Sequence, residues 1–575
     1  MSNAKIAEML EEIADMLELE EGVSRFEVLA YRKAAMTIGT LQQDVKEIYE
    51  KKGIEGFLEL PGIGKTIANS IKEYIEKGTM SKYERLKAKY PIDFPSLTKI
   101  QGMGAKKAYK LYKTIGVKDI EGLRRAVEEH KIRDIEGFGE KSEEEIRKGL
   151  ELLEKGQGRI LLGTALPVAE KIVRELLTSR LVEKAIICGS TRRMKETVGD
   201  LDILVISGNG EKVMDFVEKI DEVERTVVKG PTKTTVWLKI GISCDVRVVE
   251  KGSFGAAVQY FTGSKDHNIK IREIAIKKGY KLNEYGLFDK KGKNLAEGED
   301  EEFIYKKLGL SYIEPEMREN RGEIELAREG KLPNLVKLED IKGDLHVHSK
   351  YSDGADTIEE IAEAAKRLGR EYIGMTDHSK SERQAGGMDD AGFKKYFEEI
   401  DRLNSKLEGI RILKSGEVDI NKNGELDLEK STLKEMDYVL ASVHLNTRMG
   451  KEEMTKRIIK ALDTGLVSIL AHPTGRLINE REPIDFDMEK VLEAAERNNV
   501  ALEIDSFPNR LDLNDENILK ARSYKVKFSI DTDAHRTSHL EFMRLGVGTA
   551  RRGWLEKERI INAMSYKELM RFFSR

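Results

Sequence analysis

The spacing of hydrophobic positions divides the chain into three parts. Up to about residue 150, apolar side chains recur at helical intervals, as at Ile6, Met9, Leu10 and Ile13. The middle part contains short apolar runs typical of strands, such as AIIC at 185–188 and LDILVI at 201–206. Beyond residue 340, seven strand-like runs alternate with helical patterns. The sequence therefore predicts a multidomain protein with a helical first part, an α+β middle part and a C-terminal α/β part.

One motif occurs three times in the helical part: LPGIGKT at 60–66, IQGMGAK at 100–106 and IEGFGEK at 135–141. Glycine permits positive φ and lets the backbone approach another chain closely. The free N–H groups at the start of the following helix can then face a phosphate oxygen. The motif resembles helix-hairpin-helix elements and predicts sequence-independent binding of the DNA backbone. The residues expected to contact DNA are Gly62, Gly64, Lys65, Gly102, Gly104 and Lys106.

Charge is unevenly distributed in this part of the chain. The whole chain has a net charge of −4, yet residues 61–118 contain 13 Lys and Arg against 4 Asp and Glu. A basic stretch within a balanced chain is a candidate phosphate-binding surface. The third motif lies outside this stretch and is followed by Glu143, Glu144 and Glu145. We therefore expect the third motif to serve the structure more than DNA.

Three aspartates in the middle part form a candidate catalytic centre. Asp200 and Asp202 lie two positions apart on a predicted strand, so their carboxylates share a face. Asp245 lies on another predicted strand. Carboxylates placed together repel one another unless cations neutralise them, and Mg²⁺ or Mn²⁺ suits such oxygen ligands. We expect Asp200 and Asp202 to hold the triphosphate-bound ion and bridge to a second ion, which Asp245 helps to bind.

A Gly-Ser turn precedes the paired aspartates. The motif GSTRR at 189–193 follows a predicted strand, and Gly189, Ser190 and Arg193 are expected to hold triphosphate oxygens. This motif, GDLD at 199–202 and DVR at 245–247, in this order, resemble the palm of family X DNA polymerases. The resemblance implies template-directed addition of deoxynucleotides to a DNA 3′ end.

The next segment, YFTGSKDHNIKIR at 260–272, is similar to the thumb of the same family. The resemblance implies that Tyr260, Phe261 and Gly263 line the sugar pocket and disfavour ribonucleotides. It also implies that Asn268 bonds the minor-groove edge of the incoming base and that Arg272 touches the template side. Lys265 departs from animal polymerase beta, which has an aspartate there.

A second departure concerns the N-terminal segment. AYRKAA at 30–35 and LPGIG at 60–64 resemble the lyase domain of polymerase beta, but Ser70 stands where that enzyme has its Schiff-base lysine. A hydroxyl cannot form an imine with a ring-opened sugar. Lys65 or Lys72 is a conceivable substitute, yet we expect weak or absent deoxyribose-phosphate lyase activity.

Histidines mark the C-terminal part. Six of the nine histidines in the chain stand at the ends of its strand-like runs, accompanied by three carboxylates. Repeated βα units of this length predict a TIM-like barrel with its chemistry at the C-terminal strand ends. Mixed imidazole and carboxylate ligands suit two or three Mn²⁺, Zn²⁺ or Fe²⁺ ions. The predicted ligands are His346, His348, Asp353, His378, Glu417, His444, His472, Asp533 and His535.

These motifs resemble the polymerase-and-histidinol-phosphatase (PHP) domain. All nine ligand positions of that family are filled, which implies an active phosphoesterase with 3′-5′ exonuclease, 3′-phosphatase or abasic-site endonuclease activity. Arg476, shortly after His472, is a candidate phosphate ligand, with a surface role as the alternative. Together the resemblances point to bacterial and archaeal family X polymerases with a distorted β/α barrel at the C-terminus.

The predicted domains follow from these motifs: a lyase-like helical domain at 1–85, a fingers-type subdomain at 86–155, the palm at 156–250, the thumb at 251–317, a linker at 318–340 and the PHP domain at 341–575. The leading hypothesis is a polymerase that fills short gaps in base excision repair. One alternative is a DNA-tethered phosphoesterase whose polymerase half mainly binds DNA. Another is a non-catalytic binder of DNA structures.

Cysteine usage and hydrophobicity indicate the cellular compartment. Cys188 and Cys244 each lie in an apolar run, which predicts inert core thiols in a reducing cytosol. No apolar run is long enough to span a bilayer, and the acidic, helical pattern of residues 1–21 does not fit a secretory signal. We expect a cytoplasmic, nucleoid-associated monomer that binds gapped or nicked DNA and deoxynucleoside triphosphates.

Overall fold

The computed structural model describes residues 3–39, 45–60, 62–98, 100, 103–156 and 158–574. The chain divides into two compact units, Met1–Gln157 with Leu477–Glu482, and Gly158–Arg476 with Pro483–Arg575. Among the described residues, no helix is both long enough and apolar enough to cross a membrane.

The first unit is helical, as its apolar spacing predicts. Its core contains Ile6, Leu10 and Ile13 of the first helix, all fully buried. Its helices are α1 (Asn3–Leu17), α2 (Arg25–Gly39), α3 (Val45–Lys52), α4 (Glu55–Leu58), α5 (Lys65–Lys77), α6 (Ser81–Lys89), α7 (Phe94–Leu97), α8 (Ala105–Ile115), α9 (Ile120–Glu128) and α10 (Glu140–Gly156).

A five-stranded sheet forms the predicted palm. Its strand order is β2-β4-β7-β6-β5, and β4 and β7 run parallel, so that Asp202 pairs in register with Asp245. The elements are β1 (Ile160–Leu161), α11 (Leu162–Thr178), β2 (Lys184–Ile187), α12 (Gly189–Arg192), β3 (Thr197–Val198), β4 (Asp200–Ile206), α13 (Gly210–Val217), β5 (Val223–Lys229), β6 (Lys233–Leu238) and β7 (Ser243–Val249).

Helices and a small hairpin form the predicted thumb and the segment after it. The elements are α14 (Phe254–Thr262), α15 (Lys265–Lys277), β8 (Lys281–Asn283), β9 (Gly286–Phe288), α16 (Glu301–Lys307) and α17 (Glu323–Glu329). The segment 318–340, a predicted linker, is packed into this region. Arg318 is fully buried and pairs with Glu301 at 2.5 Å, while Ile324 and Ala327 join the same core as Trp554. The predicted domain boundaries stay predictions.

Seven parallel strands form the C-terminal barrel, and the third is broken into two short strands around Ser415 and Gly416. A parallel bridge between Val347 and Ala534 brings the first and last strands together and closes the ring. The elements are β10 (Gly343–Val347), α18 (Ile358–Arg367), β11 (Tyr372–Met375), α19 (Asp390–Asn404), β12 (Arg411–Lys414), β13 (Glu417–Asp419), α20 (Lys430–Glu435), β14 (Leu440–Ser442), α21 (Lys451–Leu462), β15 (Ile469–Leu470), α22 (Met488–Asn498), β16 (Ala501–Asp505), α23 (Asp515–Ala521), β17 (Phe528–Asp531), α24 (Met543–Arg552) and α25 (Tyr566–Phe573). The predicted multidomain α+β and α/β architecture is confirmed.

Candidate active sites

The first site lies at the N-terminal end of β4. Asp200 and Asp202 point to the same face of this strand, and Asp245 stands beside Asp202 on β7. Burial, followed by the like charges of Asp200 and Asp245, raises the pKa of Asp202 to about 6. A nearby cation would offset both effects, so this carboxylate is suited to bind a metal ion.

Asp245 is held differently from the other two carboxylates. Its oxygens accept from the Thr235 hydroxyl at 2.6 Å and from Arg247 Nη2 at 3.1 Å, and the Lys233 ammonium lies 2.7 Å away. Burial acts to raise the pKa of Asp245, but the bonds from Lys233 and Thr235 outweigh it and lower the pKa. Asp245 is therefore ionised at neutral pH without help from a metal ion.

Gly189 brings the backbone against the aspartates. Its φ is +63°, and a Cβ at this position would lie 2.5 Å from Asp202 Oδ2. Only glycine fits this approach, because any side chain would displace the carboxylate. The turn at Gly189 and Ser190 thus borders the face that carries Asp200 and Asp202.

A cleft of about 440 Å³ collects the predicted nucleotide-binding residues. Three cationic residues, Arg159, Lys195 and Lys265, line it as well, and only Lys265 stood in a motif recognised in the sequence. Asp245, held by Lys233 and Thr235, is not among the residues that line this cleft. The lining includes Gly189, Ser190, Arg193, Asp200, Asp202, Tyr260, Phe261, Gly263, Asn268 and Arg272.

Two of these residues are fixed by hydrogen bonds within the protein. Arg193 Nη1 donates to the Thr262 carbonyl at 2.6 Å, and its Nε donates to Glu319 at 3.1 Å. Asn268 Nδ2 donates to the Tyr260 carbonyl at 2.7 Å. Both side chains are therefore held in place before any nucleotide enters the cleft.

All nine predicted ligands of the C-terminal site come together at the C-terminal ends of the barrel strands. They form four overlapping groups whose ligand atoms lie within 4.8 Å of one another. The groups are His348 with Asp353, His378 and His535; His346 with Glu417 and His472; His346 with His348 and Asp533; and His378 with Glu417 and His444.

Glu417 stands at the centre of the cluster. Its Oε1 lies 2.8 Å from His472 Nε2 and 3.1 Å from His444 Nε2. Its Oε2 lies 2.9 Å from His378 Nδ1 and 3.4 Å from His346 Nε2. Burial acts to raise the pKa of Glu417, but the surrounding imidazoles reverse this and hold the pKa well below its usual range. One carboxylate therefore faces ligands of all four groups.

Several imidazole nitrogens in the cluster are buried without a hydrogen-bond partner: His346 Nε2, both ring nitrogens of His348, and His378 Nδ1. Buried polar atoms normally have partners, so imidazole nitrogens left without a hydrogen bond among the described residues suit a site for cations. Imidazole nitrogen combined with carboxylate oxygen is the donor set of Zn²⁺, Mn²⁺ and Fe²⁺ sites. The residues thus fit a metal cluster, and the site is built for metal-dependent chemistry.

Glu503 has a role that its place in the sequence does not reveal. It ends a predicted strand like the ligands, but it accepts from the backbone N–H of His472 at 2.5 Å, and its Oε1 lies 2.7 Å from His346 Nδ1. A carboxylate on the second ring nitrogen fixes the tautomer, which leaves Nε2 free for a metal ion. Glu503 therefore orients two ligands.

The surface role suggested for Arg476 is wrong. The side chain is buried, donates to the Leu511 carbonyl at 2.7 Å and pairs with Glu196 of the palm region at 2.6 Å. A guanidinium held by these partners is not a surface group. The phosphate role stays a prediction.

The first two hairpins expose the groups that DNA binding requires. Gly62 has a φ of +73°, and Gly64 and Gly104 precede α5 and α8, with Lys65 and Lys106 exposed beside them. Ile63 and Met103, between the glycines, are buried, as the motif predicts. Gly102 lies outside the described residues.

The third hairpin differs from the first two. Glu143 is buried and accepts from the backbone N–H groups of Ile132 and Arg133 at 3.2 and 3.1 Å. Phe138, between its glycines, is only half-buried. The acidic residue after this hairpin is thus part of its internal structure, as the sequence suggests.

Four family models match parts of the chain. Family models match residues 1–80 (helix-hairpin-helix domain), 94–151 (SAM-like helix-hairpin-helix tandem), 257–319 (DNA polymerase beta thumb) and 344–507 (PHP domain).

Curated relatives match either the whole chain or its C-terminal part. The chain is 39% identical over 577 residues, covering all of both chains, to the DNA polymerase/3′-5′ exonuclease PolX of Bacillus subtilis. It is 36% identical over 203 residues, 33% of this chain and 78% of the other, to a probable phosphatase of Thermoanaerobacter pseudethanolicus. A probable phosphatase of Syntrophotalea carbinolica is 33% identical over 167 residues, 28% of this chain and 65% of that protein.

Proposed function

The chain belongs to the bacterial family X DNA polymerases that carry a PHP domain, and on this basis we propose that it fills short gaps in DNA during base excision repair. It is a DNA polymerase with 3′-5′ exonuclease activity. The observation that supports the proposal is that one chain brings the predicted nucleotide-binding residues together in one cleft and the nine predicted metal ligands together in one cluster.

In the palm, Asp200, Asp202 and Asp245 are proposed to hold two Mg²⁺ or Mn²⁺ ions. When bound, such ions neutralise the triphosphate and lower the pKa of the attacking 3′-hydroxyl. Asp200 and Asp202 supply the face on which the triphosphate is held, and Asp245 stays ionised through Lys233.

Around the aspartates, Gly189, Ser190 and Arg193 are proposed to hold triphosphate oxygens. Tyr260, Phe261 and Gly263 form the sugar pocket, Asn268 reaches the incoming base, and Arg272 the template side. Their common position along one cleft supports these roles.

In the barrel, we propose that the nine ligands hold two or three Mn²⁺, Zn²⁺ or Fe²⁺ ions. When bound, such ions would activate a water and stabilise the negative charge that develops on the phosphoryl oxygens. Glu503 keeps His346 and His472 in their ligating orientation. The proposed activities are 3′-5′ exonuclease, 3′-phosphatase and abasic-site endonuclease.

Two alternatives are less well supported. A DNA-tethered phosphoesterase would not need the aspartate cleft, in which Gly189 leaves just enough room for Asp202. A non-catalytic binder would not need orphaned imidazole nitrogens. Gapped or nicked DNA and deoxynucleoside triphosphates are the proposed partners of a cytoplasmic, nucleoid-associated monomer.

The first two hairpins are proposed to bind the DNA backbone through Gly62, Gly64, Lys65, Gly102, Gly104 and Lys106. Replacing Lys65 and Lys106 with alanine should weaken binding equally for different sequences and reduce the salt slope by about 2, since each lysine neutralises one phosphate. Fluorescence anisotropy of a gapped duplex across salt concentrations measures both effects.

Lys141 of the third hairpin occupies the position of Lys106 in the second and is exposed, so Lys141→Ala is the control for Lys106→Ala. We expect this variant to bind DNA like the parent protein. An equal loss of DNA affinity in the Lys141 variant would contradict the proposal that the first two hairpins bind DNA and the third does not.

Deoxyribose-phosphate lyase activity is expected to be weak or absent. Ser70 donates its hydroxyl to the Thr66 carbonyl at 3.2 Å and offers no amine, and the nearby Lys72 lies 3.8 Å from Glu76. Borohydride trapping on an incised abasic site should give little adduct. Trapping as efficient as that of animal polymerase beta would overturn this prediction, and Lys65→Ala and Lys72→Ala would then locate the amine.

The direct test of the proposed function uses a 5′-labelled primer facing a one-nucleotide gap, with Mn²⁺ present. Extension by one nucleotide in the presence of deoxynucleotides, and shortening in their absence, is the expected result. Shortening alone would make the chain a tethered nuclease, and an unchanged primer would favour the binder.

A further inference from the structure

The loop that follows β16 borders the metal cluster with two residues that the roles above do not use. Arg510 Nε lies 3.3 Å from Asp505 Oδ2 and 3.5 Å from Oδ2 of the cluster residue Asp533. The side chain is 17% exposed, so part of it remains open to a ligand. Arg510 is thus a cation at the edge of the cluster that is not a metal ligand.

One nitrogen of this guanidinium has no partner. Arg510 Nη1 is buried and makes no hydrogen bond within the described part of the chain. A buried N–H of a charged group without an acceptor costs free energy, which an incoming anion would recover. The fork of a guanidinium matches two oxygens of a phosphate. The geometry therefore favours a phosphate oxygen as the missing acceptor.

Phe507 forms an apolar wall beside the same site. Its ring lies edge-on to His539 at 5.3 Å and to Phe542 at 5.4 Å between centroids, and its centroid lies 6.5 Å from that of the ligand His535. Phe507 is only half-buried, so part of the residue remains accessible. An aromatic face next to a phosphate site suits the sugar or base of a nucleotide.

The palm region fixes the position of this loop. A Cβ at Gly163 of α11 would lie 2.6 Å from Pro508, so palm and loop are in close contact. At the other end of the loop, the Leu511 carbonyl accepts from Arg476, which is paired with Glu196. Phe507 and Arg510 therefore stand on a segment that is held at both ends by the polymerase half.

We propose that Arg510 and Phe507 form the subsite for the terminal nucleotide of a DNA 3′ end, with Arg510 binding the phosphate and Phe507 contacting the sugar and base. The subsite adapts the cluster to DNA ends rather than to small phosphomonoesters. This inference rests on the proposed phosphoesterase activity and names its substrate class.

The first test is binding of inorganic phosphate to the Mn²⁺-loaded full chain, measured by calorimetry, together with metal content by mass spectrometry. Arg510→Gln should weaken phosphate binding about 10- to 100-fold, because a charge-assisted hydrogen bond is lost, while the metal content stays unchanged. Arg510→Lys keeps the charge but not the forked guanidinium, so its phosphate affinity should lie between those of the parent and Arg510→Gln.

Arg544→Gln is the matched control. Arg544 also lies in the C-terminal part and pairs with Glu170 of the palm region at 2.9 Å, but it does not belong to the loop. This variant should bind phosphate like the parent. Unchanged phosphate binding in Arg510→Gln would overturn the proposal, as would a loss that excess Mn²⁺ restores, because Arg510 would then only support Asp533.

The second test separates DNA ends from small substrates. Phe507→Ala should raise KM for a 3′-phosphorylated oligonucleotide about tenfold, the magnitude of one lost stacking contact, and leave hydrolysis of p-nitrophenyl phosphate unchanged. Equal effects on both substrates, or none on the oligonucleotide, would overturn the nucleotide subsite. If the proposed phosphoesterase activity itself is wrong, the parent enzyme will hydrolyse neither substrate, which distinguishes that failure from failure of the subsite.

Discussion

Asp202→Asn is expected to lower deoxynucleotide incorporation by about three orders of magnitude, corresponding to a loss of several kcal/mol of transition-state stabilisation. Asparagine keeps the shape that fits against Gly189 but removes the charge that holds a cation. Single-turnover extension of a gapped primer measures the effect.

Asp215→Asn makes the same chemical change at an exposed palm residue that pairs with Lys229. It should leave incorporation within about twofold of the parent, as is usual for surface substitutions. Incorporation by Asp202→Asn at the rate of this control would show that the aspartate cleft is not the polymerase centre.

Without metal ions, the negative charge on Asp202 is expected to destabilise the folded protein. Because the folded-state pKa of Asp202 is raised to about 6, the folded state gains from protonation at low pH and loses this gain as pH rises through about 6. In EDTA, Asp202→Asn should therefore melt above the parent at a pH of about 8, and the difference should shrink as the pH falls to about 4. A lower Tm at pH 8 would mean that the carboxylate stabilises the fold.

Glu417→Gln is expected to abolish hydrolysis by the C-terminal site, again by about three orders of magnitude or more. The carboxylate faces His346, His378, His444 and His472, so its charge serves several metal positions at once. Metal content should fall together with 3′-phosphatase and exonuclease rates. Mass spectrometry of the purified chain and release of phosphate from a 3′-phosphorylated primer measure the two effects.

The control for this variant is Glu425→Gln, an exposed glutamate on the same domain that lies 3.3 Å from Lys460. It should retain metal and activity. Full hydrolysis by Glu417→Gln with normal metal content would remove the cluster from the mechanism.

The spacing of residues along single strands predicts much of both sites. Asp200 and Asp202 share a face because side chains alternate along a strand. The nine cluster ligands converge because parallel βα units place their C-terminal strand ends on one side of a barrel. In both cases local periodicity determines the direction of the side chain, and that information is present in the sequence.

Contacts between distant segments could not be predicted in the same way. Arg159 and Lys195 reach the nucleotide cleft through the packing of separate segments. Glu503 contacts His346 through the register of the barrel strands. No local sequence pattern reveals either contact. Arg510, 38 positions after His472, borders the cluster, and nearness in sequence gives no sign of it.

The segment 318–340 shows the limit of composition as evidence. Its polar residues predict a linker, yet Arg318 and Glu323 are fully buried because each finds a charged or imidazole partner, Glu301 and His267. In the sequence, the residues of a buried ion pair cannot be distinguished from solvated surface residues, because the pairing depends on a partner elsewhere in the chain.

The central claim is that one chain holds two independent active sites. It is tested most directly by giving the parent, Asp202→Asn and Glu417→Gln the same 5′-labelled gapped primer with Mn²⁺, with and without deoxynucleotides. We predict that Asp202→Asn shortens but does not extend the primer, and that Glu417→Gln extends but does not shorten it. Loss of both reactions in either well-folded variant, or of neither, would contradict the claim.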